Sequence, residues 1–259
     1  MTTTCIINLK GGVGKTVSAV NMAYILAVSH GKRVLLVDCD KQGNTSKFCG
    51  VYDYGKPGLA EVLTEKHFGP GLAVRPWSGS PPGKTGIDVL PSNMNLLTAN
   101  RTVLLDATRP QQTRMKKALD SLAGQYDHCI IDCAPDINMS VINALVASDH
   151  VLVPVKIDKF TFDGLDVLAE QIGELGEFNP KLAILGCFVT MATRNTVTTE
   201  GIKWLSEKSD YPVFSTAIRK TVKVDETTFV CRPLLEYARG CTASEDYVAL
   251  VDEFLEKCH

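Results

Sequence analysis

The segment over residues 9–16 constrains the fold of this chain more than any other. It has the sequence Leu-Lys-Gly-Gly-Val-Gly-Lys-Thr, overlaps the end of an apolar run at 5–9, and opens a segment with helical spacing at 15–29. Glycines at a strand-to-helix turn expose backbone N–H groups, and the positive end of the helix favours an anion there. The segment therefore predicts a strand, a phosphate-binding loop and a helix, in that order.

Apolar, β-rich runs recur along the chain, and each is followed by a segment with helical spacing. The predicted strands lie at 5–9, 33–37, 87–90, 128–131, 150–155 and 182–189. The predicted helices lie at 15–29, 96–106, 111–123, 138–147, 161–176, 196–208 and 243–257, with Asn138 and Asp163 as caps. Near-continuous apolar strands are typical of a parallel sheet that is covered on both faces. The pattern predicts a doubly wound α/β fold with a mostly parallel sheet and helices on both faces.

Length and composition are those of one globular domain, predicted over residues 1–259, with 45% hydrophobic and 22% charged residues. The glycine- and proline-rich stretch 52–86 is predicted as an excursion from the core.

A formal net charge of −2 excludes a global basic field, so any DNA contact must come from a local patch. The 9 cysteines include no Cys-x-x-Cys pair, which predicts reduced, mostly buried thiols. No signal stretch and no long apolar run is present, which predicts a cytoplasmic protein.

Each position of the glycine-rich loop has a predicted chemical role. The glycines allow the backbone path, Lys15 can reach the β- and γ-phosphates, and the Thr16 hydroxyl can bind Mg²⁺. The usual form of this motif begins with glycine six residues before the lysine, where this chain has Leu9. ATP and Mg²⁺ are the predicted cofactors. The predicted nucleotide-binding residues of the loop are Lys10, Gly11, Gly12, Val13, Gly14, Lys15, Thr16 and Val17.

A second lysine, Lys10, gives the loop the form Lys-Gly-Gly-x-Gly-Lys-Thr, which resembles the deviant Walker A motif of the ParA/MinD family. The resemblance implies that this lysine reaches across a sandwich dimer to the partner's nucleotide. ATP binding and dimerisation would then be one event. Lys10 would supply in trans the positive charge that an arginine finger supplies in other enzymes, which makes Lys10 and Lys15 predicted catalytic residues.

The second apolar run leads into Val-Asp-Cys-Asp-Lys-Gln-Gly-Asn at 37–44. A strand projects residues two apart from the same face, so Asp38 and Asp40 should lie side by side. This segment is similar to the family's Asp-x-Asp-Pro-Gln-Gly-Asn, with Lys41 in place of proline. The resemblance implies that Asp40 is catalytic and orients the attacking water, while Asp38 supports Mg²⁺ or the Lys15 end. Simple capping of the following turn is the alternative for both.

The apolar run at 128–131 ends in Asp132, which is the Walker B pattern. A carboxylate at the carboxyl edge of the sheet can hold Mg²⁺ through water, so Asp132 joins Thr16 and Asp38 as a predicted metal residue. Asp136 stands where the family commonly has serine. The resemblance also suggests Met191 as a neighbour of adenine, with core packing as the alternative.

The resemblance spans nearly the whole chain, from Thr4 to about Leu250, and it implies a DNA-contacting face that only the ATP dimer completes. The basic residues predicted for that face are Arg194, Arg219, Lys220 and Lys223. Acidic residues interleave with them, so scattered surface charge is the alternative. Phosphate contacts fix no sequence, and binding would therefore be non-specific and salt-dependent.

The leading hypothesis is a ParA-like partition ATPase that dimerises with ATP, binds DNA non-specifically on the nucleoid, and hydrolyses ATP slowly until a ParB-like partner stimulates it. A MinD-like membrane-associated positioning ATPase is one alternative, but it needs a basic amphipathic helix at its end, and the last predicted helix is acidic. No membrane partner is therefore expected. An iron–sulfur or metal-carrier ATPase is the other alternative, with Cys129 and Cys133 predicted to point inward.

Overall fold

A computed structural model describes residues 1–77, 86–158, 161–208 and 211–258, without the side chains of residues 161–163 and 208. Its sheet has the spatial order β3-β4-β2-β5-β1-β6-β7, and neighbouring strands are parallel except for the β3–β4 pair. The strands are β1 Thr2–Ile6, β2 Val34–Cys39, β3 Arg75–Pro76, β4 Ile87–Leu90, β5 His128–Cys133, β6 His150–Lys156 and β7 Ala183–Thr190. The predicted doubly wound α/β fold is confirmed.

The helices begin and end within three residues of the predicted bounds wherever a helix was predicted. They are α1 Lys15–Val28, α2 Asn44–Phe48, α3 Leu59–Thr64, α4 Asn95–Leu105, α5 Arg114–Leu122, α6 Met139–Ala147, α7 Thr161–Glu174, α8 Thr196–Lys208, α9 Val222–Val230, α10 Leu234–Tyr237 and α11 Thr242–Lys257, with 3-10 turns at Pro70–Leu72 and Leu175–Glu177. The sequence pattern missed α2, α3, α9 and α10. Most of these are too short for a periodic signal, and α9 is rich in β-branched residues.

Side chains of the central strands alternate between two buried layers. In β2, Leu35 and Val37 pack in the layer that holds α3 to α7, whereas Val34 and Leu36 pack in the layer that holds α1 and α11. Because both faces are covered, the strands are apolar almost throughout. The adjacent strands β1 and β5 lead into helices on opposite faces, α1 and α6, which is the arrangement that opens a ligand-binding crevice at the carboxyl edge of the sheet.

The predicted carboxyl ends of three strands, β1, β2 and β5, were wrong, and these strand ends carry the residues of the candidate site. Strand β1 ends at Ile6, so the loop begins three residues earlier than predicted, while β2 and β5 run on through Asp38 and Asp132. The predicted cap at Asn138 is confirmed, since its Oδ1 accepts a hydrogen bond from the Val141 N–H at 3.1 Å. The side chain of Asp163 lies outside the described residues.

The stretch predicted as an excursion at 52–86 contributes to the core instead. It contains α3 and the edge strand β3, and Leu59, Leu63 and Trp77 are buried. Its glycine and proline residues mark the turns between these short elements. Residues 78–85 of this stretch lie outside the described part of the chain.

Candidate nucleotide-binding site

The loop between β1 and α1 has the backbone path that its glycines predict. Gly12 and Gly14 have φ angles of 71° and 88°, in the left-handed region where a side chain is strained, and Gly14 is the N-cap of α1. The loop is held from two sides. Asn8 accepts a hydrogen bond from the Lys10 N–H and donates one to the Pro154 carbonyl, both at 2.9 Å.

On the other side, the hydroxyl of buried Thr190, at the end of β7, donates to the Val13 carbonyl at 2.9 Å. The side chain of Val13 is itself buried, so this residue can offer a phosphate only its backbone N–H. Sequence reasoning missed both anchors, Asn8 and Thr190. Each is a polar residue at the carboxyl end of an apolar strand, and this position in the sequence could have identified them as residues that hold the loop.

Lys15 is the first residue of α1, and its side chain is buried. Its Nζ donates to the carbonyls of Asn8 at 3.1 Å and Lys10 at 3.0 Å, which places the ammonium group inside the loop. Burial lowers the pKa of Lys15, and the nearby carboxylate of Asp132 opposes that shift. A cation at the positive end of a helix, among glycine N–H groups, is suited to a phosphate.

The second lysine of the loop has a different partner. The Nζ of Lys10 donates a hydrogen bond to the carboxylate of Asp158, which follows β6 in the same chain. Both side chains are about one-third exposed. Lys10 and Lys15 are therefore close in the backbone of one loop, but their ammonium groups have separate partners.

Asp132 lies at the centre of the polar groups beside the loop. Its Oδ2 accepts hydrogen bonds from the hydroxyls of Thr16 and Thr45, each at 2.7 Å, whereas its buried Oδ1 has no hydrogen-bond partner among the residues that the structure describes. Burial raises the pKa of Asp132 to about 6. An unpaired carboxylate oxygen beside two hydroxyls is a set of hard donors that fits Mg²⁺. Thr45, the second residue of α2, was not predicted.

Asp38 is fully buried below the segment that follows β2. Its Oδ2 accepts hydrogen bonds from the N–H of Ser46 at 2.8 Å and from the hydroxyl of Ser46 at 2.6 Å, and its Oδ1 accepts one from the Asp40 N–H at 3.1 Å. Burial, and then the neighbouring charge of Asp132, raise the pKa of Asp38 to about 8. In this arrangement Asp38 stabilises the segment after β2, and a role toward Mg²⁺ stays a prediction.

Asp40 directly follows β2, and its Oδ1 accepts a hydrogen bond from the Gln42 N–H at 2.9 Å. This is the turn-capping contact that the alternative interpretation anticipated. The segment is also connected to the loop after β5, because Lys41 Nζ lies 3.8 Å from an oxygen of Asp136. Both residues that depart from the family's pattern thus contact each other. The catalytic role of Asp40 stays a prediction.

Met191, directly after β7, has a φ of 53°, which is unusual for a residue with a side chain. It lines a cavity beside the loop together with Gly14, Val17 and Tyr247, whose hydroxyl lies 3.0 Å from that of Ser18. The surfaces lining this cavity are mainly apolar. The structure therefore brings Met191 next to the loop, where an adenine base could pack.

The predicted DNA-binding residues do not form one free basic patch. Arg219 is held by Asp246, with Nη2 2.6 Å from Oδ1, and Lys223 Nζ lies 2.8 Å from an oxygen of Glu226. Arg194 and Lys220 are exposed and have no ion pair within the described residues. The interleaved acidic residues neutralise half of the predicted set, as the alternative interpretation proposed.

The cysteines and the surface bear on the two alternative functions. Cys129 and Cys133 are buried as predicted, and the sulfur of Cys133 lies 3.0 Å from that of Cys5. In the part of the chain that the structure describes, no group of three or more His, Cys, Asp or Glu residues is arranged to hold a metal ion. Across the same described ranges, we find no helix with both the length and the apolar character that a membrane span requires.

The fold and the loop together define the class of this protein. A parallel sheet carries a glycine-rich loop after its first strand, a lysine inside that loop, and an aspartate at the end of the adjacent strand. These are the features of a P-loop nucleotide triphosphatase fold.

Comparisons with known proteins narrow the class to a family. A family model, AAA_31, described as an AAA domain, matches residues 1–184. The chromosome partitioning protein ParA of Caulobacter vibrioides is 32% identical over 256 residues, which cover 97% of this chain and 93% of that protein. The sporulation initiation inhibitor protein Soj of Bacillus subtilis is 32% identical over 252 residues, which cover 96% of both. The chain belongs to the ParA/Soj family of P-loop ATPases.

A solved structure extends the comparison to the fold. Cobyrinic acid a,c-diamide synthase from Mycobacterium smegmatis, with a bound ATP analog and magnesium, superimposes with a TM-score of 0.83 at 26% identity. The match covers 99% of this chain and 95% of that one. The fold of this chain is thus similar to that of a protein whose structure holds an ATP analog and magnesium.

Proposed function

We propose that this protein is a partition ATPase that binds ATP and Mg²⁺, dimerises in the ATP-bound state, and holds DNA non-specifically until a partner protein stimulates hydrolysis. The observation that carries the proposal is the second lysine, Lys10, at the start of a loop whose other lysine already lies inside the phosphate cradle. Lys15 already supplies the lysine that the phosphate-binding loop needs, so Lys10 is available to contact the nucleotide of a second subunit. The chromosome partitioning protein ParA and the chromosome-partitioning ATPase Soj are relatives over nearly the full chain.

For nucleotide binding, the loop N–H groups from Gly11 to Val17 and the Nζ of Lys15 bind the phosphates, and the cavity beside Met191 receives the adenine. The left-handed glycines Gly12 and Gly14 support this role, because they let consecutive N–H groups point at one anion. The apolar lining next to Met191 supports packing of a flat base.

Thr16 and Asp132 would hold Mg²⁺, with Asp38 in support. The unpaired Oδ1 of Asp132 is the free acceptor that supports this assignment. When bound, Mg²⁺ neutralises charge on the phosphate oxygens. The hydroxyls of Thr16 and Thr45 hold the Asp132 carboxylate in a fixed orientation, and its second oxygen would be available to the ion.

For hydrolysis, Asp40 orients the attacking water and Lys10 of each subunit stabilises charge at the partner's γ-phosphate. A positive charge in that position is worth several orders of magnitude in rate in related phosphoryl transfers. Because the charge comes from a second copy, hydrolysis requires the dimer. A monomer is then slow, which is the behaviour expected of a nucleotide-controlled switch.

DNA is held by phosphate contacts from Arg194 and Lys220, with weaker contributions from Arg219 and Lys223, which are already paired with acidic residues. Such contacts read no sequence and weaken steeply with salt. The protein would then be cytoplasmic and associated with the nucleoid. A ParB-like protein is the proposed activator.

The test uses Asp40→Ala, which should bind ATP but not hydrolyse it. We expect this variant to form a stable dimer with ATP and Mg²⁺ in sedimentation velocity, and to retard duplex DNA at low salt. Lys10→Ala is the matched variant, expected to bind ATP with near wild-type affinity yet stay monomeric and free of DNA. If ATP-loaded Asp40→Ala neither dimerises nor retards DNA, the proposal is overturned.

A further inference from the structure

A second cleft lies away from the phosphate-binding loop, between the end of α3, the residues that follow it, and one side of α5. It has a volume of about 450 Å³, and no residue of the loop at 9–17 lines it. This volume lies within the range of small-molecule sites, about 300 to 1,000 Å³. The cleft is near the β3–β4 edge of the sheet, because α3 and the Pro70–Leu72 turn lead directly into β3.

The walls of this cleft are strongly basic. Its titratable lining residues are Glu65, Lys66, His67, Arg109, Arg114 and Lys117, of which only Glu65 is acidic. The chain as a whole has a net charge of −2, so this cluster of cations contrasts with the overall charge of the protein. The concentration of positive charge therefore indicates an anionic ligand.

Two arginines form the rigid part of the wall. The side chain of Arg114 is only 4% exposed, and its Nη2 lies 2.8 Å from an oxygen of Asp106. Arg109 shares the same carboxylate, with Nε 3.2 Å from that oxygen. One carboxylate thus faces two guanidinium groups, so these three groups carry a formal net charge of +1. Both guanidinium groups also donate to carbonyls at the end of α3, Arg114 to Leu63 and Arg109 to Leu63 and Thr64.

The position of Arg114 is fixed by neighbouring elements before any ligand binds. Its Nη1 donates to the Leu63 carbonyl at the end of α3, at 3.0 Å. Its backbone N–H donates to Oδ1 of Asn143 in α6, at 2.9 Å. A wall held in this way loses little conformational freedom on binding, which favours affinity.

The cleft also has exposed cations and an apolar surface. Lys66 and Lys117 are exposed and make no ion pair within the described ranges. Phe68 and Pro70 line the same cavity and offer apolar surface beside the charges. Anionic groups next to an apolar ring system are the chemistry of a nucleotide.

We propose that this cleft binds a phosphate-bearing ligand of nucleotide size, at a site separate from the P-loop. Lys66 and Lys117 contact the phosphates, Arg109 and Arg114 provide the fixed positive field, and Phe68 packs against the base. The site does not depend on the proposed partition activity, since it shares no lining residue with the phosphate-binding loop.

The experiment is calorimetric titration of the full chain with inorganic pyrophosphate at low salt. The wild type should bind two equivalents, one in the P-loop and one in the cleft. The double variant Lys66→Glu with Lys117→Glu should bind one, and adding Lys15→Ala should remove or strongly weaken the other. Lys181→Glu is the control, because it makes the same kind of charge change on an exposed lysine near β7, at the opposite edge of the sheet.

One equivalent in the wild type, or two unchanged equivalents in the double variant, would overturn the proposal. Circular dichroism checks that all variants are folded, including Lys15→Ala, whose changed side chain is buried. A competition on Lys15→Ala then identifies the source of the phosphates. Displacement of pyrophosphate by AMP indicates a free nucleotide, displacement by a short single-stranded oligodeoxynucleotide indicates nucleic-acid phosphates, and displacement by neither contradicts a ligand of nucleotide size.

Discussion

The Nζ of Lys10 donates a hydrogen bond to the carboxylate of Asp158 in its own chain. This lysine is the residue that the ParA/MinD resemblance directs to the nucleotide of a second subunit. A dimer that uses Lys10 in trans must first break this contact. Because both side chains are about one-third exposed, the pair stabilises each monomer by at most about 1 kcal/mol. The contact therefore shifts the monomer–dimer equilibrium slightly toward the monomer but does not prevent dimerisation.

Asp158→Asn should make ATP-dependent dimerisation easier. Removing the carboxylate releases Lys10 in both subunits of the dimer. The monomer–dimer dissociation constant with ATP should therefore fall by up to about 30-fold, which corresponds to about 1 kcal/mol for each of the two subunits. Sedimentation velocity over a range of protein concentrations measures this constant. In the Lys10→Ala background the Asp158→Asn change should have no effect. A weaker dimer for Asp158→Asn alone would show that Asp158 acts at the interface instead.

Thr45→Val should weaken the dependence of ATP binding on Mg²⁺. The hydroxyl of Thr45 donates to Asp132 at 2.7 Å, and valine keeps the shape of the buried side chain without that donor. A hydrogen bond to a charged group is worth about 1.5 to 3 kcal/mol, so we expect at least about a tenfold loss of Mg²⁺ affinity. Titration of ATP-loaded protein with Mg²⁺ measures it. Thr45→Ser, which keeps the hydroxyl, should stay near wild type, and equal losses in both variants would contradict this role.

The contribution of Mg²⁺ to nucleotide binding should rise with pH between 5 and 7. Burial raises the pKa of Asp132 to about 6, so below that pH its carboxyl is protonated and cannot bind the ion. About one-tenth is deprotonated at pH 5 and about nine-tenths at pH 7, which predicts about a tenfold change. ATP affinity with and without Mg²⁺ measures this contribution. Asp132→Asn is the control for protonation of ATP itself, and a pH profile equal to wild type in that variant would exclude Asp132.

Gly14→Ala should destabilise the folded protein, while Gly11→Ala should not. Gly14 has a φ of 88°, and a side chain in the left-handed region costs about 1 to 2 kcal/mol. A Cβ at Gly11 meets no atom within 4 Å, and its φ lies outside that region. Urea unfolding gives the free energy of unfolding of both variants. Equal values for the two would mean that the loop changes its backbone path freely.

Lys220→Ala and Arg194→Ala should reduce DNA retention more than Arg219→Ala does. Arg219 donates hydrogen bonds of 2.6 to 3.0 Å to Asp246, so its charge is compensated, while Lys220 and Arg194 are exposed. Removing a lysine or arginine that binds a DNA phosphate should also lower the salt slope by about one. Filter binding at several salt concentrations measures both effects. The opposite ranking would show that Arg219 leaves Asp246 when DNA binds.

The phosphate-binding loop could be predicted from sequence because its chemistry is local. Gly12 and Gly14 are needed at fixed positions between one strand and one helix, and Lys15 follows within the same turn. The same reasoning found the carboxylates Asp38 and Asp132, because each ends an apolar strand. The roles of groups that depend on neighbours far along the chain were not accessible in this way.

Thr45 illustrates the difference. It lies 87 residues from Asp132 in the sequence, yet both contribute to one hydrogen bond because β2 and β5 are adjacent in the sheet. Strand order is decided by how the helices pack on the two faces, and no short motif records it. The pairing of the basic residues likewise depends on tertiary packing. Asp246 can neutralise the charge of Arg219 only when α11 is packed against the sheet.

The sequence by itself determined the loop, its two lysines, and the alternation of strands and helices, because backbone geometry and side-chain periodicity act over a few residues. The tertiary structure alone decided which groups those lysines contact. It placed Asp158 beside Lys10, left one oxygen of Asp132 without a hydrogen-bond partner in the described part of the chain, and gathered the cations around Arg114 into a cleft. These contacts join segments far apart in the chain, and only the packing of the whole fold brings them together.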